Sequence, residues 1–326
     1  MKAIVYHAYG SPDVLALEEV DKPVVMDDQV LVRVRAASVN AFDWHLLRGL
    51  PYIVRVSEGL RRPTRSVAGV DLAGEVEAVG QNVTQFRPGD AVFGQRGGAF
   101  AEYVSASESN FALKPANLTF EQAAAVPMAG FTALQGLRDK GQLRAGQRVL
   151  INGAAGGVGT FAVQIAKAFG ADVTAVCSTR NLDLVRSIGA DQVIDYTRED
   201  FTISAQRYDL ILDIAASRSL SACRRVLAPQ GILVLVGAAG GPERQGRWVE
   251  PLIGVVGALL LSRFVSQRLL PFLAKRSRED LIVLTELIEA GKLTPVIDRT
   301  YLLRETPAAI RYLEAGHAQG KVVIVV

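Results

Sequence analysis

A glycine-rich turn between an apolar run and an amphipathic segment constrains this fold more than any other feature. The stretch INGAAGGVGT occupies residues 151–160, after RVLIN at 148–152 and before FAVQIAKAFG at 161–170. Apolar residues recur on one helical face, at Val158, Phe161, Ala162, Ile165 and Phe169, and Gly170 follows them. A strand, a tight glycine turn and a helix N-terminus in this order predict a pyrophosphate site, because the free N–H groups and the helix dipole attract an anion.

The glycines of this stretch match most of the G-x-G-x-x-G pattern. Measured back from the helix, Gly156 and Gly159 occupy its second and third glycine positions, and Ala154 replaces the first. A flexible loop could hold as many glycines, but the flanking strand and helix favour a dinucleotide site. The candidate contacts in the turn are Gly153, Ala155, Gly156, Gly157, Val158 and Gly159.

The end of the next strand bears on which dinucleotide binds. NAD sites place an acid there to bind the ribose 2′-OH, whereas NADP sites accommodate the additional phosphate with an arginine. Here the strand ends in VCSTRN, where Ser178, Thr179, Arg180 and Asn181 supply hydroxyl, guanidinium and amide groups but no acid. The pattern predicts NADPH, with a solvated surface role for Arg180 as the alternative.

The pattern of apolar and polar residues differs between two parts of the chain. From Met1 to about residue 117 apolar and polar residues alternate, as in QVLVRVRA at 29–36, which predicts half-buried strands. From about residue 121 to 265 short apolar strands alternate with helical stretches, which predicts a parallel sheet covered on both faces. The closing KVVIVV at 321–326 needs a sheet to join, and the β-rich first part offers edges. We predict an α/β protein in which residues 1–120 and 273–326 form a β domain and residues 121–272 a doubly wound domain.

Length and charge agree with a two-domain globular protein. The 326 residues exceed the ~100–200 typical of one domain. The net charge of +3 is small for this length, and the basic residues are scattered among acids. We therefore expect no DNA or RNA partner.

Cysteines and apolar runs bear on the compartment. The two cysteines, Cys177 and Cys223, fit neither a disulfide framework nor a metal cluster, so we expect the reducing cytoplasm. The first residues lack the apolar core of a signal peptide. The run PLIGVVGALLL at 251–261 is shorter than the ~20 residues of a membrane span and ends at Ser262 and Arg263, so a buried helix is expected rather than membrane contact.

Longer matching segments identify a family. GQRVLINGAAGGVGTFAVQIAK at 146–167 resembles the signature of the quinone oxidoreductase (ζ-crystallin) branch of the medium-chain dehydrogenase/reductase superfamily. The resemblance extends over nearly the whole chain, through ASVNAFDWHLLRG, GVDLAGEVEAVG, RPGDAVFG, GFTALQGL and GHAQGKVVIVV. It implies a GroES-like β domain built from both chain ends, a Rossmann domain between them, an active site in the cleft where they meet, and a homodimer joined through Rossmann edge strands. A monomer is the alternative.

The zinc pattern of related alcohol dehydrogenases is not matched. That pattern would place Cys at Asn40 and His at Val70, and His7, His45 and His317 are widely separated. We expect no metal. Without a Lewis acid, hydride addition to a conjugated carbonyl is favoured, because the charge of an enolate is spread and hydrogen-bond donors can support it. We therefore predict NADPH-dependent reduction of quinones or α,β-unsaturated carbonyls, with a zinc-free alcohol or carbonyl dehydrogenase and a non-catalytic NADPH-binding sensor or scaffold as alternatives.

The resemblance also suggests individual site residues. Asn40 and Asp43 match the family's substrate-side Asn and Asp, with turn formation as the alternative. Tyr52 lies near a family tyrosine and is the candidate proton donor, unless it only packs. His45 stands where related enzymes often carry Tyr and could border the substrate, although a single His is more often a satisfied residue. Thr132 resembles the family's contact to the nicotinamide, with helix capping as the alternative.

Three further cofactor contacts are expected from position in the doubly wound sheet. Tyr196 ends the third strand, with sheet-edge burial as the alternative, and Gly237 and Ala238 follow the fifth strand at the switch point. Lys321 is a further candidate contact, with a solvated lysine as the alternative.

Overall fold

The computed structural model describes residues 1–52, 54–64, 66–236 and 266–326. These residues belong to two compact units. The first comprises Met1–Ala129, Arg276–Ala290 and Pro295–Val326, and the second comprises Gly130–Lys275 and Gly291–Thr294. Among the described residues, no helix is both long and apolar enough to cross a membrane. The expected buried helix at 251–261 lies outside the described residues.

The elements follow the chain in this order. The strands are β1 (Lys2–Val5), β2 (Ala16–Glu19), β3 (Gln29–Val39), β4 (Asp71–Val79), β5 (Ala91–Gln95), β6 (Tyr103–Ser107), β7 (Phe111–Leu113), β8 (Arg148–Asn152), β9 (Asp172–Cys177), β10 (Gln192–Asp195), β11 (Tyr208–Asp213), β12 (Leu227–Val236), β13 (Arg268–Phe272), β14 (Ile297–Leu302) and β15 (Lys321–Val325). The α-helices are α1 (Ala41–Arg48), α2 (Val54–Glu58), α3 (Phe120–Ala124), α4 (Pro127–Gln135), α5 (Gly157–Ala168), α6 (Leu182–Ser187), α7 (Leu220–Arg225), α8 (Arg278–Glu289) and α9 (Thr306–Glu314). A π-helical segment, Gly136–Lys140, continues α4.

The first unit is built on a seven-stranded sheet in the order β14-β15-β3-β4-β5-β7, with β6 also paired to β3. Along β3 the predicted alternation is confirmed, since Val30, Val32 and Val34 are buried while Arg33 is exposed. The closing strand β15 pairs antiparallel with β3, with Val322 opposite Val39. The C-terminus therefore joins the sheet of the first unit, as the sequence predicts.

The second unit contains a parallel sheet in the order β10-β9-β8-β11-β12-β13. This order reverses direction between β8 and β11, and in doubly wound sheets ligands bind at the carboxyl ends of the strands beside such a switch point. The prediction of a doubly wound domain is confirmed. The sixth strand, β13, pairs parallel with β12 and was not predicted.

Candidate functional site

The turn after β8 depends on two glycines. Gly153 has φ +90°, in the left-handed region that favours glycine, and its N–H donates to the Val176 carbonyl at 3.2 Å. A Cβ on Gly159 would lie 2.1 Å from the Gly153 oxygen, a distance that no real contact reaches. Helix α5 can therefore approach the turn this closely only with glycine at 159.

The N-terminus of α5 offers backbone donors. Its N-cap residue is Gly156, which has no side chain to cap the helix, and no acidic residue lies in the first turn. The N–H groups at Gly157, Val158 and Gly159 belong to that first turn, where helical N–H groups have no partner within the helix. Among the described residues, a Cβ on Gly156 would meet only the Gly153 oxygen, at 3.6 Å, so these residues leave the approach to the donors open. This arrangement fits the pyrophosphate of a dinucleotide.

The loop after β9 carries the residues expected at an adenosine phosphate. Ser178 is half-buried, Thr179 and Arg180 are exposed, and Asn181 is buried with its amide donating to the Ser178 hydroxyl at 3.2 Å. Tyr196 is 52% exposed, and its N–H donates to the carbonyl of Cys177. The loop residues and Tyr196 therefore lie at the same edge of the sheet.

One carboxylate also lies at this edge. Asp195, at the end of β10, accepts hydrogen bonds from the Thr179 hydroxyl at 2.5 Å and from the Thr197 hydroxyl and N–H at 2.7 and 3.0 Å. The Arg198 guanidinium is 3.5 Å away. These hydrogen bonds, that of Thr179 first, lower the pKa of Asp195. The negative charge of Asp195 is thus stabilised by hydrogen-bond donors of the protein itself.

A buried polar group at the switch point was missed from the sequence. The Asn152 amide donates to Asp213 at 2.8 Å, and the Ala216 N–H donates to the same carboxylate oxygen at 2.9 Å. Burial raises the pKa of Asp213. The only sequence signal is an Asn and an Asp that end the apolar strands β8 and β11.

In the first unit, Asn40 and Asp43 lie at the start of α1. Asn40 is the N-cap residue, and its N–H donates to Asp43 Oδ2 at 2.7 Å. Both residues are buried, with 7% and 4% of their surface exposed. The pair therefore has a structural role at the start of α1, in line with the alternative of turn formation. This role fixes Asn40 at a position where its side-chain amide contacts other polar groups.

The Asn40 amide lies in a buried polar cluster, which we define as Asn40, Asp43, Asp71 and Lys321. Its Nδ2 donates to Asp71 Oδ2 at 2.9 Å and to the Ser38 carbonyl at 3.2 Å. Its Oδ1 accepts a hydrogen bond from Lys321 Nζ at 2.5 Å. The amide therefore has a partner at each of its two ends.

Asp71 was not predicted as a site residue. It is fully buried, and besides Asn40 it accepts hydrogen bonds from the Ser38 hydroxyl, the Met128 N–H and the Gln95 amide at 3.1–3.3 Å. Burial raises its pKa, against the opposing effect of Lys321. The sequence signal that could have revealed it is a charged residue inside the apolar run VAGVDLAG.

Lys321 lies in this cluster, with 3% of its surface exposed and Nζ 3.7 Å from Asp71 Oδ2. Burial lowers its pKa, while Asp71 and Asp43 oppose that shift. Asp43 carries a buried Oδ1 atom that has no hydrogen-bond partner among the described residues. Burial raises the pKa of Asp43 to about 7.

Other predicted residues lie elsewhere or outside the description. Tyr52 lies near Arg55, whose guanidinium carbon is 4.7 Å from the ring centroid. His45 bonds through Nδ1 to the Leu50 carbonyl at 2.8 Å, so it is a satisfied residue, and burial lowers its pKa. Thr132 is buried within α4. Gly237 and Ala238 lie outside the described residues.

The residues around Asn40 do not fit a zinc ion. Val70 offers no ligand, and the Lys321 ammonium already contacts the Asn40 oxygen and faces Asp71, where a divalent cation would be repelled. Over residues 1–52, 54–64, 66–236 and 266–326, no group of three His, Cys, Asp or Glu side chains could hold a metal ion.

Two family models match the chain. Residues 26–116 match the alcohol dehydrogenase GroES-like domain. Residues 188–324 match a model described as zinc-binding dehydrogenase. The first match lies within the β-rich first unit, and it confirms the predicted GroES-like domain.

Relatives that match nearly the whole of this chain are named as reductases or oxidoreductases. The chain is 35% identical to the 2-methylene-furan-3-one reductase of Solanum lycopersicum, over 99% of this chain and 79% of that protein. It is 34% identical, with the same coverage of 99% and 79%, to the chloroplastic NADPH-dependent alkenal/one oxidoreductase of Arabidopsis thaliana. Among solved structures, the quinone oxidoreductase of Coxiella burnetii is 32% identical, with a TM-score of 0.84 over 100% of this chain and 99% of that one.

Proposed function

Because the chain belongs to the quinone oxidoreductase family of the medium-chain dehydrogenase/reductase superfamily, we propose that it is an NADPH-dependent reductase of quinones and α,β-unsaturated carbonyls. The observation that carries the proposal is the open, uncapped N-terminus of α5, followed at the end of β9 by Ser178, Thr179 and Arg180 in place of an acid. The names of the relatives supply the substrate class.

Different residues of the chain would bind different parts of the cofactor. The N–H groups at Gly157–Gly159 would hold the pyrophosphate, and Gly156 leaves room for it. Arg180 and Ser178 would contact the 2′-phosphate, with Tyr196 beside the adenosine. Asp195 remains a carboxylate at this edge, and its oxygens already accept hydrogen bonds from Thr179 and Thr197 and lie 3.5 Å from the Arg198 guanidinium. When bound, a reduced nicotinamide supplies the hydride.

The polar cluster in the first unit can support the carbonyl oxygen of a substrate. As hydride adds to the conjugated carbon, negative charge develops on this oxygen, and donors held in a buried site stabilise it strongly. Of the two Asn40 Nδ2 bonds, the one to the Ser38 carbonyl is the longer, at 3.2 Å against 2.9 Å to Asp71. We assign the Nδ2 proton of this longer bond to the substrate oxygen. The Lys321 ammonium, bonded to the other end of the Asn40 amide, adds a positive charge close to it. Solvent or Tyr52 supplies the proton that completes the reaction.

The test of this function is NADPH oxidation with quinones, 2-alkenals and cyclic enones. Turnover with at least one of these classes is expected. Parallel assays with saturated alcohols and NADP⁺ separate conjugate reduction from alcohol dehydrogenation. Tight NADPH binding without turnover on any class would instead favour a sensor or scaffold, and would contradict the proposal.

Arg180→Asp is expected to weaken NADPH binding about 10- to 100-fold, the loss of a hydrogen bond between charged groups, while NADH binding changes little. Dissociation constants from nicotinamide fluorescence titrations measure both. Arg144→Asp is the matched control, because Arg144 is an exposed arginine that precedes β8, at the opposite edge of the sheet. Equal effects of the two variants, or a preference of the unmodified protein for NADH, would contradict the assignment.

We also propose that the protein is a homodimer joined through β13. In the described part of the six-stranded sheet β13 is an edge strand, paired on one side with β12. An edge strand offers unpaired backbone groups to a second copy. Light scattering coupled to size exclusion should give twice the chain mass of 35.0 kDa, and a monomer mass would contradict this.

The cytoplasm is the proposed compartment. Cys177 and Cys223 are buried free thiols, and burial raises the pKa of Cys177 to about 11 and that of Cys223 to about 12. Thiols of this kind suit a reducing environment. Fractionation of cells that express the full chain tests the assignment.

A further inference from the structure

We propose that Lys321 and Asp71 are positioning residues that fix the orientation of the Asn40 side-chain amide, with its oxygen towards Lys321 and its nitrogen towards Asp71. The inference rests on the proposed function, in which Asn40 donates to the substrate oxygen. It also gives Lys321 a role different from the cofactor contact that the sequence suggests.

The chemistry of the partners determines which way the amide points. An ammonium group can only donate, so Lys321 Nζ selects the oxygen end of the Asn40 amide at 2.5 Å. Asp71 Oδ2 accepts from the backbone N–H of Met128, a group that can only donate, and it accepts from Asn40 Nδ2 at 2.9 Å. A donor at one end and an acceptor at the other make the reversed amide unfavourable at both ends.

The strand register brings the lysine to this position. Val322 of β15 lies opposite Val39 of β3, so that in this antiparallel pair Lys321 comes next to Asn40. Likewise Ser38 of β3 lies opposite Asp71 of β4. Three neighbouring strands thus converge on one amide, although Lys321 and Asn40 are 281 residues apart in sequence.

The orientation matters because only one end of the amide can assist the substrate. With the nitrogen towards Asp71, the second Nδ2 proton points to the Ser38 carbonyl, where a substrate oxygen can replace that acceptor. In the reversed orientation the amide oxygen would face the Ser38 carbonyl and could donate nothing. Lys321 and Asp71 are buried, at 3% and 0% exposure, so bulk solvent does not compete with them for the two ends of the amide.

The experiment compares Lys321→Met with the double variant Asp71→Asn/Lys321→Met. The single variant leaves the Asp71 charge without its cation, whereas the double variant removes both charges and should recover much of the thermal stability. We expect kcat to fall about 10- to 100-fold in both variants, because misplacing one group by about 1 Å can cost as much. The NADPH dissociation constant of both variants should stay within twofold of that of the unmodified protein. Lys321→Arg, which keeps a positive charge and only donates, should retain much more of kcat than Lys321→Met.

A second readout does not depend on turnover. In protein labelled with ¹⁵N-asparagine, the Asn40 side-chain NH₂ signals, assigned with Asn40→Ala, should shift or broaden in Lys321→Met. Arg35→Met/Glu75→Gln is the control, since this half-buried pair joins the same strands β3 and β4 at 2.7 Å. It should leave kcat and the Asn40 signals unchanged.

Three results would overturn the inference: recovery of kcat together with stability in the double variant, unchanged Asn40 signals in Lys321→Met, or a rise in the NADPH dissociation constant without a loss of kcat. The last result would indicate that Lys321 contacts the cofactor instead, as the sequence suggests. Absence of turnover in the unmodified protein would overturn the proposed function instead, while the Asn40 signals still decide the orientation of the amide.

Discussion

Gly159→Ala is expected to destabilise the second unit by about 3 kcal/mol or more, the upper range for an overpacked site. The added Cβ would lie 2.1 Å from the Gly153 oxygen and 2.6 Å from the Ala154 carbonyl carbon, so the backbone itself must move. Chemical denaturation followed by the loss of secondary structure measures the change. A variant as stable as the unmodified protein would contradict the close approach of α5 to the turn.

Gly156→Ala is the matched comparison and separates folding from binding. Within the part of the chain that the structure describes, its Cβ would meet only the Gly153 oxygen, at 3.6 Å, and Gly156 has φ −81°, which alanine adopts readily. We expect stability close to that of the unmodified protein, and NADPH affinity at least about tenfold weaker, because the methyl group occupies the path of the pyrophosphate. Unchanged NADPH affinity would place the cofactor elsewhere.

The second large effect is a dependence of stability on pH caused by Asp43. Burial raises its pKa from 3.8 to about 7, so the folded protein favours the neutral carboxyl group. The stability that this group contributes is fully present below the unfolded pKa near 3.8 and is lost as the pH rises through about 7. Relative to Asp43→Asn, the unmodified protein should lose up to about 4 kcal/mol of unfolding free energy across this range.

Urea denaturation of both proteins between pH 4 and 8 measures this difference. The Asp71 and Lys321 charges act on Asp43 in opposite directions, so the midpoint reports the whole cluster. Asp200→Asn is the control. The hydrogen bond from the Thr202 N–H lowers the pKa of Asp200, so Asp200 stays ionised in both states over this range and its difference from the unmodified protein should stay nearly constant between pH 4 and 8. A constant difference for Asp43→Asn would contradict the raised pKa.

Local patterns were sufficient to predict much of the fold. The alternation in β3 and the strand–turn–helix around Gly156 are properties of short stretches, and both are found in the structure. Strand β13 was missed, because RLLPF contains Pro271, which argues against a central strand and is tolerated at a sheet edge.

The candidate site was less predictable, because its central contacts join distant parts of the chain. Nothing near Lys321 in sequence indicates a buried ion pair, and GKVVI is equally compatible with a solvated lysine. Only the pairing of β15 with β3 brings it to Asn40. Asp71 is hidden for a similar reason, since its partners come from β3, β5, α4 and β15.

The fate of a deuterium label tests the central claim most directly. With NADPH deuterated at both C4 positions and a cyclic enone in ordinary water, the product should be the saturated ketone with one deuterium on the carbon β to the carbonyl. Deuterium on the carbonyl carbon, in an allylic alcohol, would contradict conjugate reduction and support a carbonyl dehydrogenase.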